Sequence, residues 1–136
     1  MDRRFYPFGL AAVAVVIAAP VVAQDAALQG VIADQLQAFV ARDATRAFDH
    51  ASPMIQGMFA TPEMFAGMVA EGYPMVWDNA QVRFGGVEPR GATKVQTVYI
   101  TDAAGRFHAL QYEMIQIEGD WKINGVELLE APTPSV

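Results

Sequence analysis

Apolar side chains recur every three to four residues up to Gly72 and every second residue after it. This change of period constrains the chain more than any other feature, because a helical stripe cannot also serve as the alternating face of a strand. In the first half, Leu28, Val31, Ile32, Leu36, Phe39 and Val40 lie on one stripe of a helix, with Asp34, Gln35 and Gln37 facing away. Asp43 precedes a second short helix marked by Ala44, Ala47, Phe48 and Ala51. Ser52-Pro53 and Thr61-Pro62-Glu63 each set an N-cap hydroxyl before a proline at the first helical position. These predict two further short helices, carrying Met54, Ile55, Met58 and Phe59, then Met64, Phe65, Met68 and Val69.

Beyond Gly72 the sequence predicts four strands, at 81–87, 93–101, 106–117 and 121–129. Glu88-Pro89-Arg90-Gly91, Asp102-Ala103-Ala104-Gly105 and Gly119-Asp120 are the turns between them. Connections this short allow antiparallel pairing alone, since a parallel return needs a crossover of about a dozen residues. Gly85-Gly86 and Asn124-Gly125 are expected as bulges or bends. Helices followed by a bent antiparallel meander make an α+β fold in which the helices cover one face of the sheet. Period alone leaves that face open. On the third strand it is either the side of His108, Leu110, Tyr112 and Met114 or the side of Phe107, Ala109, Ile115 and Ile117.

The first 23 residues differ from the rest. Arg3 and Arg4 precede an apolar stretch from Phe5 to Ile17, and Val21-Val22-Ala23 suits a signal peptidase, so cleavage is expected after Ala23. An uncleaved anchor is the competing reading, weakened by Pro7, Gly9 and Pro20 and by the lack of a following basic cluster. The expected organisation is a signal peptide over 1–23, one α+β domain over 24–130 and a flexible tail over 131–136. The product would be periplasmic or secreted by a bacterium, with no membrane attachment after cleavage. The formal charge of −6 becomes −7 without Asp2, Arg3 and Arg4, the wrong sign for a nucleic-acid groove. No cysteine is present, which removes disulfides, thiolate metal sites and cysteine nucleophiles.

The blocks Phe39-Val40-Ala41-Arg42-Asp43, Ala47-Phe48, Ala51-Ser52-Pro53, Thr61-Pro62-Glu63, Gly72-Tyr73-Pro74-Met75-Val76 and Trp121-Lys122-Ile123-Asn124-Gly125-Val126 resemble the bacterial family catalogued as domain of unknown function 4864. More distantly the chain is similar to the nuclear transport factor 2-like superfamily. That likeness implies a cone-shaped fold with a pocket between helix and sheet, and often a homodimer through the sheet. It implies no reaction, because fold does not fix function.

Enzymes of that superfamily use a buried carboxylate or histidine with tyrosine donors, a base tuned near working pH beside a donor for the developing oxyanion. Here His108, Tyr112 and Glu113 are the catalytic candidates, and Asp78 and Glu113 the candidate buried carboxylates. Asp49 and His50 read as solvent-facing. Tyr73, Trp77, Tyr99 and Trp121 are the candidate ligand-pocket residues, although core packing claims most aromatic surface in so small a domain. Met54 with Met58, and Met64 with Met68, could ligate Cu(I) as thioether pairs near Met75, but their coincidence with the apolar stripe favours packing. No metal or cofactor is expected. The function expected is a non-catalytic binding or interaction module for an apolar or amphipathic ligand, or for its own copy. A cofactor-free isomerase or dehydratase is the alternative.

Overall fold

The computed structural model describes residues 21–129. Most of the expected signal segment and all of the expected tail lie outside the described residues; Val21, Val22 and Ala23 begin the first helix. Among the described residues five helices come first: α1 (Val21–Val40), α2 (Ala44–Asp49), α3 (Pro53–Gln56), α4 (Pro62–Gly72) and α5 (Pro74–Trp77). Strands β1 (Asn79–Arg90), β2 (Thr93–Asp102), β3 (Phe107–Ile117) and β4 (Asp120–Leu129) follow and pair in chain order as an antiparallel meander.

Local chemistry sets most helix starts. Asp43 accepts from the Arg46 amide at 3.1 Å, Ser52 Oγ from the Ile55 amide at 3.3 Å, and Thr61 Oγ1 from the Met64 amide at 3.1 Å. Each cap satisfies an amide that has no partner inside its own helix. The single-turn α5 was not expected. Four residues are too few to display a helical period, and Pro74 at its first position starts it without a side-chain cap.

The turns refine the expected strand ends. β1 runs through Pro89, which faces Lys94 in the ladder, and the reversal falls at Gly91-Ala92. Proline is tolerated there because β1 is an edge strand. Gly91 has a φ of 62°, as the first position of a two-residue hairpin loop requires. Between β3 and β4 the central residues are Glu118 and Gly119, with φ of 52° and 89°, a primed turn that matches the twist of the strands. Both expected bends are present. The β1–β2 register shifts between Phe84 and Val87, and Asn124 is the extra residue opposite the Glu113–Met114 step.

The structure resolves which sheet face is covered. Leu110, Tyr112 and Met114 are fully buried, together with Val98 and Ile100, beneath Leu28, Ile32, Leu36 and Phe39 of α1. Phe107 on the opposite face is 61% exposed. On α1 the buried stripe includes Gln35 and leaves Val40 exposed, the reverse of the expected pattern. The reason is a polar partner: Gln35 Nε2 donates to the Ala47 carbonyl at 3.0 Å, so its burial leaves no amide proton stranded on that contact.

Candidate functional site

Helices α1, α3, α4 and α5 do not close completely over the sheet. They leave a cavity of about 80 Å³. Phe39, Phe65, Val76 and Tyr112 form its buried depth, and Ile55, Met68, Tyr73 and Val126, each half-buried, form its rim. Aromatic packing holds the depth in place. The Phe65 ring lies 5.9 Å from Phe39, 5.3 Å from Phe48 and 5.5 Å from Phe59. On the sheet side, the Asn124 bulge gives β4 its bend. Ser52 Oγ donates to Asn124 Oδ1 at 2.7 Å, while the Ser52 amide donates to the Ile123 carbonyl at 2.8 Å. The start of α3 is thus tied to β4 at the edge of the cavity.

The polar groups in the lining are few. Gln35 is engaged with Ala47, and the Tyr73 hydroxyl donates to the Val126 carbonyl at 3.3 Å. The Tyr112 hydroxyl is fully buried and finds no hydrogen-bond partner among the described residues. Burial pushes the Tyr112 phenol above its ordinary pKa, with a smaller push from Tyr73. The group is therefore a neutral donor and acceptor at any physiological pH. Among the described residues no carboxylate, histidine or cationic side chain lines the cavity.

The remaining candidates are scattered. His108 shares a sheet face with Tyr112 but lies at the β2–β3 turn, where its Nε2 is 2.8 Å from Asp102 Oδ2. Asp102 also accepts from the Ala104 and Arg106 amides, and the His108 contact followed by the Arg106 amide holds its carboxyl below the usual range. Glu113 points to the other face of the sheet, accepting from Asn124 Nδ2 at 3.2 Å and Thr93 Oγ1 at 3.4 Å. The three catalytic candidates are therefore not brought together. Of the four candidate pocket aromatics, Tyr73 alone lines the cavity. Trp77 packs on Phe39 and lies beneath Arg42, whose Cζ is 4.1 Å from the ring centroid. Tyr99 stacks on Phe107 across the outer face, and Trp121 carries Lys94 Nζ 5.7 Å from its centroid.

Three expectations are corrected. Asp78 is half-exposed and pairs with Arg42 at 2.6 Å, so it is no buried carboxylate. His50 is not simply solvent-facing: its Nε2 lies 2.6 Å from Asp34 Oδ2, and Arg46 grips the same carboxylate through Nε and Nη2. Met54, Met58 and Met64 do not pack; they are 57%, 68% and 57% exposed. α3 ends at Gly57, which breaks the stripe that would join Met54 to Met58, and α4 buries Phe65, Ala66 and Val69 instead of Met64. Among the described residues no cluster of three or more histidine, aspartate or glutamate side chains is placed to hold a metal, and no helix is long and apolar enough to cross a membrane.

A family model described as a domain of unknown function (DUF4864) matches residues 21–136. The chain belongs to this family. Among solved structures, this DUF4864 chain is similar to an NTF-2 like protein of unknown function from Burkholderia xenovorans LB400, at 14% identity and TM-score 0.47, covering 79% of this chain and 89% of that one. It is also similar to a SEC-C motif containing protein from Rhodopseudomonas palustris, at 13% identity and TM-score 0.51, covering 78% and 91%. At that identity the second likeness concerns the fold alone. No match is found among curated proteins.

Proposed function

We propose that this DUF4864 domain is a non-catalytic binding module that takes a small, mainly apolar ligand into the cavity beneath α3 and α4. The observation that carries this reading is the lining itself. The hollow is concave, apolar and continuous with solvent at a rim of Ile55, Met68, Tyr73 and Val126, the general character of ligand pockets. A base close to Tyr112 would support the isomerase or dehydratase alternative. His108 and Glu113 are engaged elsewhere, so binding is favoured over turnover.

Native mass spectrometry of protein purified from its own cell tests the reading, together with melting temperatures across a metabolite and lipid panel. A co-purifying small molecule or a saturable rise in melting temperature is expected. Bare protein that no panel member stabilises overturns it.

The proposal includes export to the periplasm, supported by Arg3-Arg4, the apolar stretch and Val21-Val22-Ala23. N-terminal sequencing should find Gln24 first, and a membrane-retained chain with its leader intact would refute this. It also includes self-association through the outer sheet face. Exposed Phe107 stacks on Tyr99 there at 5.7 Å, with Arg83 Cζ 4.8 Å from the Tyr99 centroid. Light scattering at tens of micromolar should give a dimer mass that Phe107→Asp reduces to a monomer; a wild-type monomer removes this part.

A further inference from the structure

A fully buried hydroxyl without a partner calls for an explanation, because leaving it unsatisfied costs about 1–3 kcal/mol, whereas phenylalanine would fill nearly the same space without that penalty. Tyr112 is such a residue, and its ring lines the cavity. The other polar side chains of the lining donate to backbone carbonyls, Gln35 to Ala47 and Tyr73 to Val126. Among the described residues of the lining, Tyr112 is therefore the one whose hydroxyl is buried and uncommitted. The charge of the ligand follows from what the lining lacks. With no lysine, arginine or histidine among the described residues that line the cavity, a carboxylate or phosphate would enter unpaired, and burying an unpaired charge costs far more than one hydrogen bond returns. A pure hydrocarbon would leave the hydroxyl as unsatisfied as before. A volume of about 80 Å³ further requires a compact molecule.

Resting on the binding reading above, we propose that the cavity selects an uncharged, compact, mainly aliphatic molecule bearing one hydroxyl or carbonyl oxygen, which accepts a hydrogen bond from the Tyr112 hydroxyl. The raised pKa of the phenol agrees with this role, since the group remains a donor across physiological pH. An ordered water could satisfy the same hydroxyl, and the test separates that case.

Cyclopentanol, cyclopentanone, cyclopentane and cyclopentanecarboxylate share one ring and differ in the polar group. Each is titrated at pH 7 into the purified protein labelled at its methionine methyls, with Met68 at the rim as reporter. Saturable shifts are expected from the alcohol and the ketone, with affinity roughly tenfold above cyclopentane, the range of one buried hydrogen bond. The carboxylate should cause none. In Tyr112→Phe the alcohol and ketone should fall to the level of cyclopentane while cyclopentane binding persists. Cyclopentane or the carboxylate binding the wild type as tightly as the alcohol overturns this inference and leaves the binding reading in place. No saturable shift from any of the four, the outcome for a cavity that holds water alone, overturns both. The wild-type series decides between these outcomes even without the variant.

Discussion

Tyr112, inside the core, and Asp34, partly exposed on α1, show two opposite ways of placing a polar side chain. Without ligand, Tyr112→Phe removes a hydroxyl that has no partner and should raise stability by about 1 kcal/mol. A urea midpoint that falls instead would mean that the hydroxyl is already satisfied. Asp34 is the opposite case, a carboxylate with two partners. Arg46 first and His50 second hold its carboxyl well below the usual carboxylate range. A carboxylate depressed in the folded state stabilises above its unfolded pKa of about 4, and that contribution disappears as pH falls through the folded value. Asp34 is 41% exposed, so solvent screening limits the effect. Asp34→Asn should cost under about 1 kcal/mol at neutral pH. The difference between the two proteins should narrow below about pH 4, because the unfolded carboxylate then takes up a proton that the folded one resists; urea midpoints that stay parallel from pH 7 down to about pH 2.5 would contradict this. Neither role was legible from the sequence. The partners of Asp34 come from another helix and from the residue after it, and the isolation of Tyr112 depends on four elements at once. The caps of Asp43, Ser52 and Thr61 were legible, because each acts on a backbone amide three residues away.

Among the elements, the short helices depend on the sheet more than on their own length, since a helix of four residues has no independent stability. α3 illustrates this. Ser52 caps it, joins it to Asn124 in β4, and is itself almost fully buried. Ser52→Ala removes both contacts and leaves Asn124 short of a partner, so a loss of about 1–2 kcal/mol is expected in chemical denaturation. A loss within a few tenths of a kcal/mol would show that the α3–β4 tie is not stabilising. The bulge that creates this tie was readable as Asn124-Gly125, because glycine in a strand interior marks irregular pairing. Its partner was not readable, since Ser52 is 72 positions away. Pro89 misled in the other direction. Its preference for a turn was outweighed by the open edge of β1, where a missing amide donor leaves no ladder bond unmade. The methionines failed for a related reason: a stripe drawn through Met54 and Met58 assumes a helix that Gly57 ends.

Across the whole molecule the layers are unequal. β2 and β3 are the inner strands of the sheet and carry the fully buried Val98, Ile100, Leu110 and Met114, whereas α4 rests mainly on α2 and α5 and roofs the cavity with Phe65 and Val69. A segment with few apolar contacts below it opens at lower free energy than the global transition. Period could place helices before strands, yet it could not reveal this inequality, because it depends on the space left beneath Phe65 and Val69. Amides in α4 such as Met68 and Val69 should therefore exchange with solvent hydrogen faster than those of Val98, Ile100, Leu110 and Met114. Cyclopentanol should slow exchange in α4 while leaving the inner strands nearly unchanged, because a ligand in the cavity packs against Phe65, Met68 and Val69 of the roof. Equal protection in α4 and the inner strands would mean that the layers unfold together.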